Sequence, residues 1–279
     1  MYKFKKCCVW IVCLVLFINL FVPLKVQAVT KNEVEKFISM IEQSDTINVY
    51  SIFSSKAGKK YSKKFRKDIS NYLKDENKIF EMFKLYDLKN PDIWANFYIA
   101  EGYCILDKKE TAYDYYTKAI DILNKNKIKD SKSYILFRQR SWCLFEMREK
   151  YRNKAIKNAC NDIEEAIKFN PNDWLTFYYA GNISWFSLYY EESLAIDLLK
   201  YSKSLCEKTE TKDTIQKEIK KISFVWFVKG LFSIILLLIV IFTGGGGEEG
   251  IDGTEMELAD ITKNFKNFIK NNVPNLNKN

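Results

Sequence analysis

The chain has 279 residues, 44 of them basic and 35 acidic, for a formal charge of +9; it is 47% hydrophobic and contains seven cysteines but no histidine. Histidine is the commonest general acid–base group at neutral pH, and no serine elbow, phosphate loop or dinucleotide fingerprint occurs, so neither catalytic residues nor a cofactor are expected. A metal site is not expected either, because no closely spaced cysteine pair remains after the first 28 residues.

Residues 1–28 read as a signal peptide. Lys3, Lys5 and Lys6 precede an apolar run from Cys7 to Val22, broken only by Asn19, and Val26-Gln27-Ala28 offers the small residues that a signal peptidase accepts. An uncleaved anchor is the other reading, and either places the following residues outside the cytoplasm. Residues 29–89 form an N-terminal helical segment with a basic loop. A short helix from about Asn32 to Gln43 puts Val34, Phe37, Ile38 and Ile41 on one face. Lys56, Lys59, Lys60, Lys63, Lys64, Arg66 and Lys67 then fall within twelve residues, a patch suited to anionic lipid headgroups or wall polymers, or a solvated loop entering the next helix. From Tyr61 to Leu88 the spacing of Ile69, Tyr72, Leu73, Ile79, Phe80, Phe83 and Tyr86 predicts a helix or a broken pair of helices.

An internal repeat follows over residues 90–206. Asn90-Pro91…Trp94…Phe97-Tyr98…Ala100 recurs as Asn170-Pro171…Trp174…Phe177-Tyr178…Ala180. Second helical stretches carry small residues seven apart: Ala112 and Ala119, Ala159 and Ala166, Ala195 and Ser202. Repeating helix pairs cannot bury their own apolar faces and must stack, which predicts an all-α solenoid of about three repeats. The intrarepeat spacing is 12 positions from Ala100 to Ala112, 18 from Ser141 to Ala159 and 15 from Ala180 to Ala195. Longer helices or turn insertions are therefore predicted around Arg148–Lys157 and Ser187–Glu192.

These residues resemble the tetratricopeptide repeat, above all Leu136 to Leu144 together with Ala159…Asp162…Glu165-Ala166-Ile167…Asn170-Pro171. The resemblance implies a concave face lined by the first helix of each pair, with a protein or peptide lying across it. At matching positions that groove would include Trp94, Phe97, Glu101, Arg138, Trp142, Phe145, Phe177 and Gly181. The lysine–asparagine clamp by which some members grip a terminal carboxylate has no counterpart here. Aromatics at helical spacing are more often core than contact, so about half of these positions are expected to be buried.

Residues 207–221 are charged and helical in pattern, a capping and stalk helix. Ile222 to Thr243 is apolar apart from Lys229; its 22 residues reach about 33 Å as a helix, enough to cross the hydrocarbon core once. Residues 244–279 begin with Gly244 to Gly247, a hinge, and continue as an amphipathic cytoplasmic tail with Leu258, Ile261, Phe265, Phe268 and Ile269 on one face. The flanks disagree with the usual positive-inside bias, since Lys217, Lys220 and Lys221 lie on the outer side and Glu248 and Glu249 on the inner. The basic start of the leader keeps the assignment of an extracytoplasmic repeat region and a single-pass membrane location.

Four cysteines follow the leader, Cys104, Cys143, Cys160 and Cys206, which permits two disulfides in three connectivities or four free thiols at helix interfaces. Setting aside the leader's four lysines, Lys229, and the tail's six acids and four lysines leaves +6 on the outer region. That balance suits acidic lipids or wall polymers, and nucleic acid is not an expected partner outside the cell. The bias toward lysine, asparagine and isoleucine fits the envelope of a low-GC bacterium. The expected function is a membrane-anchored scaffold binding a protein or peptide. The alternatives are an envelope-polymer or anionic-lipid module using residues 56–67, and an accessory subunit in which Lys229 pairs with an acid of a neighbouring span.

Overall fold

The structure is a computed structural model that describes residues 35–41, 62–85, 89–128, 132–187, 191–243, 253–273 and 276, with residues 187, 236–243 and 253–256 as backbone alone. Among the described residues there are eleven helices and no strand: α1 (35–41), α2 (Lys63–Tyr72), α3 (Glu76–Leu85), α4 (Pro91–Ile105), α5 (Lys109–Lys125), α6 (Tyr134–Glu146), α7 (Arg148–Phe169), α8 (Trp174–Ser187), α9 (Glu192–Leu205), α10 (Thr209–Thr243) and α11 (Gly253–Asn272). The leader, the basic residues Lys56, Lys59 and Lys60, and the glycines Gly244 to Gly247 lie outside the described residues.

Three successive hairpins, α4/α5, α6/α7 and α8/α9, are packed within themselves, and each packs on the next through α5 with α6 and α7 with α8. Small residues let the helices approach: Ala100, Ala112, Ala119, Ser141, Ala159, Ala166, Ala180, Ala195 and Ser202 are all fully buried. Gly181 marks the tightest approach. A Cβ there would lie 2.8 Å from Leu199 Cγ and 3.2 Å from the Ala195 carbonyl oxygen.

The two Asn-Pro copies start their helices differently. Asn90 takes a left-handed backbone (φ 62°) and Pro91 opens α4 directly. In the other copy α8 begins three positions later, at Trp174, where Asp173 accepts from the Thr176 backbone N–H (3.0 Å) and from its hydroxyl. The 18-residue spacing in the second hairpin is absorbed at the start of α7, where Arg152 (φ 44°, ψ −130°) kinks the helix after one extra turn.

At the N-terminal side the predicted broken pair is α2 and α3. Phe37, Ile41, Ile69, Leu73, Ile79, Met82 and Phe83 form a second core with Ala95, Ile99 and Ile105 of α4. Ser62 caps α2 by accepting from Phe65 N–H at 3.1 Å, and Arg66 donates to the Leu106 carbonyl at 2.8 Å, fastening α2 to the α4–α5 turn. The Glu76 carboxylate accepts from the hydroxyls of both Tyr103 and Tyr115, which ties α3 to α4 and α5.

At the other side α10 begins as a cap on α9, burying Ile215, Ile219 and Ile222. The helix then continues without a break to Thr243. The amphipathic tail forms α11, which packs on the hairpin domain. Its apolar face, Leu258, Ile261, Phe265 and Ile269, is covered by the chain's own α7, because an amphipathic helix in water buries its stripe on the nearest apolar surface.

Candidate functional site

The first helices α4, α6 and α8 carry the eight groove positions inferred from the repeat. Phe97, Glu101, Arg138, Phe145, Phe177 and Gly181 are buried, and only Trp94 and Trp142 keep partial exposure. Their partners explain the burial. Phe97 meets Trp94 edge-on at 5.7 Å, and Phe177 meets Tyr201 of α9 edge-on at 4.7 Å. Trp142 lies 4.6 Å from Tyr179 and 5.0 Å from Phe145, over whose ring the Arg148 guanidinium also sits at 4.2 Å. As a ligand surface the groove is thus reduced to its two half-buried tryptophans; the other six positions are packed within or between the hairpins.

Two of the buried positions are charged and both are spoken for. Glu101 accepts from the Tyr116 hydroxyl and from Gln139 Nε2 at 3.0 Å, joining α4, α5 and α6. Arg138 donates to Asp173 at 2.9 Å, so the carboxylate that caps α8 also anchors α6. A third tie, not anticipated from the sequence, is Arg140. Its guanidinium grips Asp162 with two bonds of 2.8 and 2.7 Å and reaches the Thr117 hydroxyl at 3.3 Å. Burial holds the Asp162 carboxyl above the usual range even against that guanidinium.

The four cysteines are free thiols. Cys104 lies 3.6 Å from the Tyr116 hydroxyl, and Cys143 donates to the Lys109 carbonyl at 3.2 Å. The neighbouring Cys143 and burial push the Cys104 thiol well up, and burial does the same for Cys160, which leaves both protonated and unreactive. Among the described residues no group of three His, Cys, Asp or Glu side chains could hold a metal.

Of the basic patch, Lys63, Lys64 and Lys67 are exposed on α2, whereas Arg66 is half-buried and committed to Leu106.

Among the described residues the longest run of exposed apolar side chains lies on α10, with Leu85, Tyr151, Phe169 and Phe186 exposed singly elsewhere. Among the described residues no helix is long and apolar enough to cross a membrane. The described side chains of α10 stop at Ile235, however, while both the helix and the apolar sequence run on to Thr243. Every residue from Trp226 to Ile235 is exposed, among them Phe227 at 66% and Phe232 at 60%, and ten consecutive helical positions cover all sides of the helix. Lys229, the one charge in this run, sits 3.5 Å from Glu192 of α9 and 5.2 Å from the Trp185 ring. Its counter-charge therefore comes from its own chain.

No family model, no curated protein and no solved structure matches the chain.

Proposed function

We propose that the chain is a membrane-anchored scaffold whose stacked helical hairpins, similar to tetratricopeptide repeats, bind a protein or peptide partner on the extracytoplasmic side. The observation that carries this reading is the exposed apolar half of α10. A helix apolar on every side is unstable in water and at home in hydrocarbon. Its first half is the last layer of the hairpin stack, so anchor and binding module are one continuous rod.

The support for partner binding is architectural. Hairpins that stack on one another build an extended surface of first helices. Here that surface offers Trp94 and Trp142, large amphipathic side chains of the kind that anchor peptides. The test of the anchor is extraction of membranes holding the full chain with alkaline carbonate. Retention is expected, and release by the double substitution Phe227→Glu and Leu231→Glu; a wild-type chain stripped by carbonate refutes the anchor. Crosslinking at Trp142, with identification of the captured protein, tests the binding surface separately.

A second reading rests on exposed Lys63, Lys64 and Lys67 as a contact for anionic lipid or polymer. α2 packs on α4, in the first hairpin, and α10 on α9, in the last, so the patch and the anchor lie at opposite ends of the hairpin succession. Replacing these lysines by glutamate and finding wall or lipid association lost, with protein partners retained, favours that reading.

A further inference from the structure

One helix, α11, lies on the apolar face of α7. Its apolar residues Leu258, Ile261, Phe265, Ile269 and Val273, with Leu276 beyond its end, recur every three or four positions and share one core with the apolar side chains of α7. Polar contacts fix the register of the two helices. Lys266 Nζ reaches both oxygens of Glu191 at 2.9 and 2.8 Å, just before α9, and Asn153 Nδ2 donates to Glu257 at 3.4 Å. Lys168 stands 5.6 Å from the centre of the Phe268 ring. This is a helix seated in a site shaped for a helix, with an acid at the rim to receive a base.

Topology sets the docked tail against the anchor. α11 is joined to the end of α10 by residues 244–252 alone. Nine residues reach about 30 Å at full stretch, no more than the thickness of the hydrocarbon core. They carry Glu248, Glu249, Asp252 and a run of glycines, and extended backbone with charges cannot cross that core unpaired. Once α10 spans a bilayer, α11 is held on the far side, and the apolar face of α7 loses its cover. A second inserted copy cannot supply it, since its α11 lies across the membrane as well.

We propose that the α7 face beside Glu191 is a docking groove for an amphipathic helix of a partner protein, and that α11 occupies it only while α10 is outside a bilayer. The occupant is defined by its mould: apolar residues spaced three and four apart along about four turns, with a lysine or arginine set to meet Glu191. The proposal rests on the anchoring reading and gives that scaffold a second binding surface, on α7 and apart from the groove of first helices.

The test uses the full chain reconstituted into phosphatidylcholine vesicles with the hairpins outward. The probe is a fluorescent synthetic peptide of residues 253–273 added outside. Saturable binding is expected. It should weaken about tenfold on the chain carrying Glu191→Lys and recover when the peptide carries Lys266→Glu. Glu191 sits at the rim of the groove, and an unchanged helical circular dichroism signal checks that the variant is folded. A chain that resists carbonate yet binds no peptide, or binds it equally well with Glu191→Lys, overturns the groove. A chain that carbonate strips from the vesicles overturns the anchoring reading itself, and the proposal with it.

Discussion

Along α10, Ile215, Ile219 and Ile222 are 0, 6 and 2% exposed, whereas Trp226, Phe227 and Phe232, about one to three turns further on, are 57, 66 and 60% exposed. The backbone does not change between these halves, but the sequence does: residues 209–221 are rich in charge with isoleucines at helical spacing, whereas residues 222–243 carry one charge, Lys229. The neighbour changes too: α9 covers the first half on one side, and among the described contacts only the Lys229–Glu192 pair and the Trp185 ring reach the second. Helix continuity therefore says nothing about solvent. The first half is stabilised by packing, and the described side chains of the second stand largely clear of the domain.

The contrast predicts where substitutions cost stability. The largest loss is expected deep in the packed region, from Arg140→Ala, which leaves Asp162 buried and unpaired at a cost of about 3–5 kcal/mol. Because burial already holds the Asp162 carboxyl high, protonation relieves that stranded charge, and the loss measured by chemical unfolding should be smaller at pH 5 than at pH 8. Next comes a pair within α10 itself. Ile215→Ala should cost about 2–5 kcal/mol, while Phe227→Ala should stay within about 0.5 kcal/mol of wild type in detergent. Equal losses from the two would mean that the second half is packed in solution and would remove the case for an anchor. Smaller again is Gly181→Ala, whose added methyl meets Leu199 and the Ala195 carbonyl; overpacking of this kind costs about 1–3 kcal/mol, read as a lowered denaturant midpoint.

Much of this architecture was legible in the sequence, and the reasons are physical. The small residues Ala112, Ala119, Ala159 and Ala166 are fully buried because two helices approach closely only where side chains are small, and a sevenfold spacing places them on one face. The isoleucines of α10's first half were readable for the same reason. The groove was read less well. Sequence spacing identifies which residues share a face but not which neighbouring helix covers it; about half of the eight groove positions were expected to be buried and six are, Phe97, Phe145 and Phe177 among them. The polar ties were illegible because their partners are far apart in the chain: Gln139 and Glu101 are separated by 38 positions, and Lys266 and Glu191 by 75. Arg140 carried a weak signal, a cation within an otherwise buried helix face, which by itself calls for an acid nearby. The docked tail had none, since an amphipathic stripe fits a membrane, a partner or its own domain equally well.

A pH-dependent effect lies on the covered half of α10 and reports on that cover directly. Glu218 is 8% exposed, and burial lifts its carboxyl to about 7, with Lys221 opposing the shift. Tyr178 of α8 is close enough to feel the Glu218 charge, while burial raises its own hydroxyl beyond the physiological range. An unfolded glutamate titrates near about 4.3. Between those two values the folded chain holds a proton that the unfolded chain has released, so stability falls as pH rises through this window and levels off above the folded value. The penalty is absent at pH 4 and complete at pH 8. Unfolding midpoints of wild type and Glu218→Gln should therefore coincide in acid and separate toward pH 8, with the glutamine variant the more stable. Curves that run parallel across the whole range would place Glu218 in water, and with it would go the tight seat of α10 beside α8 and α9.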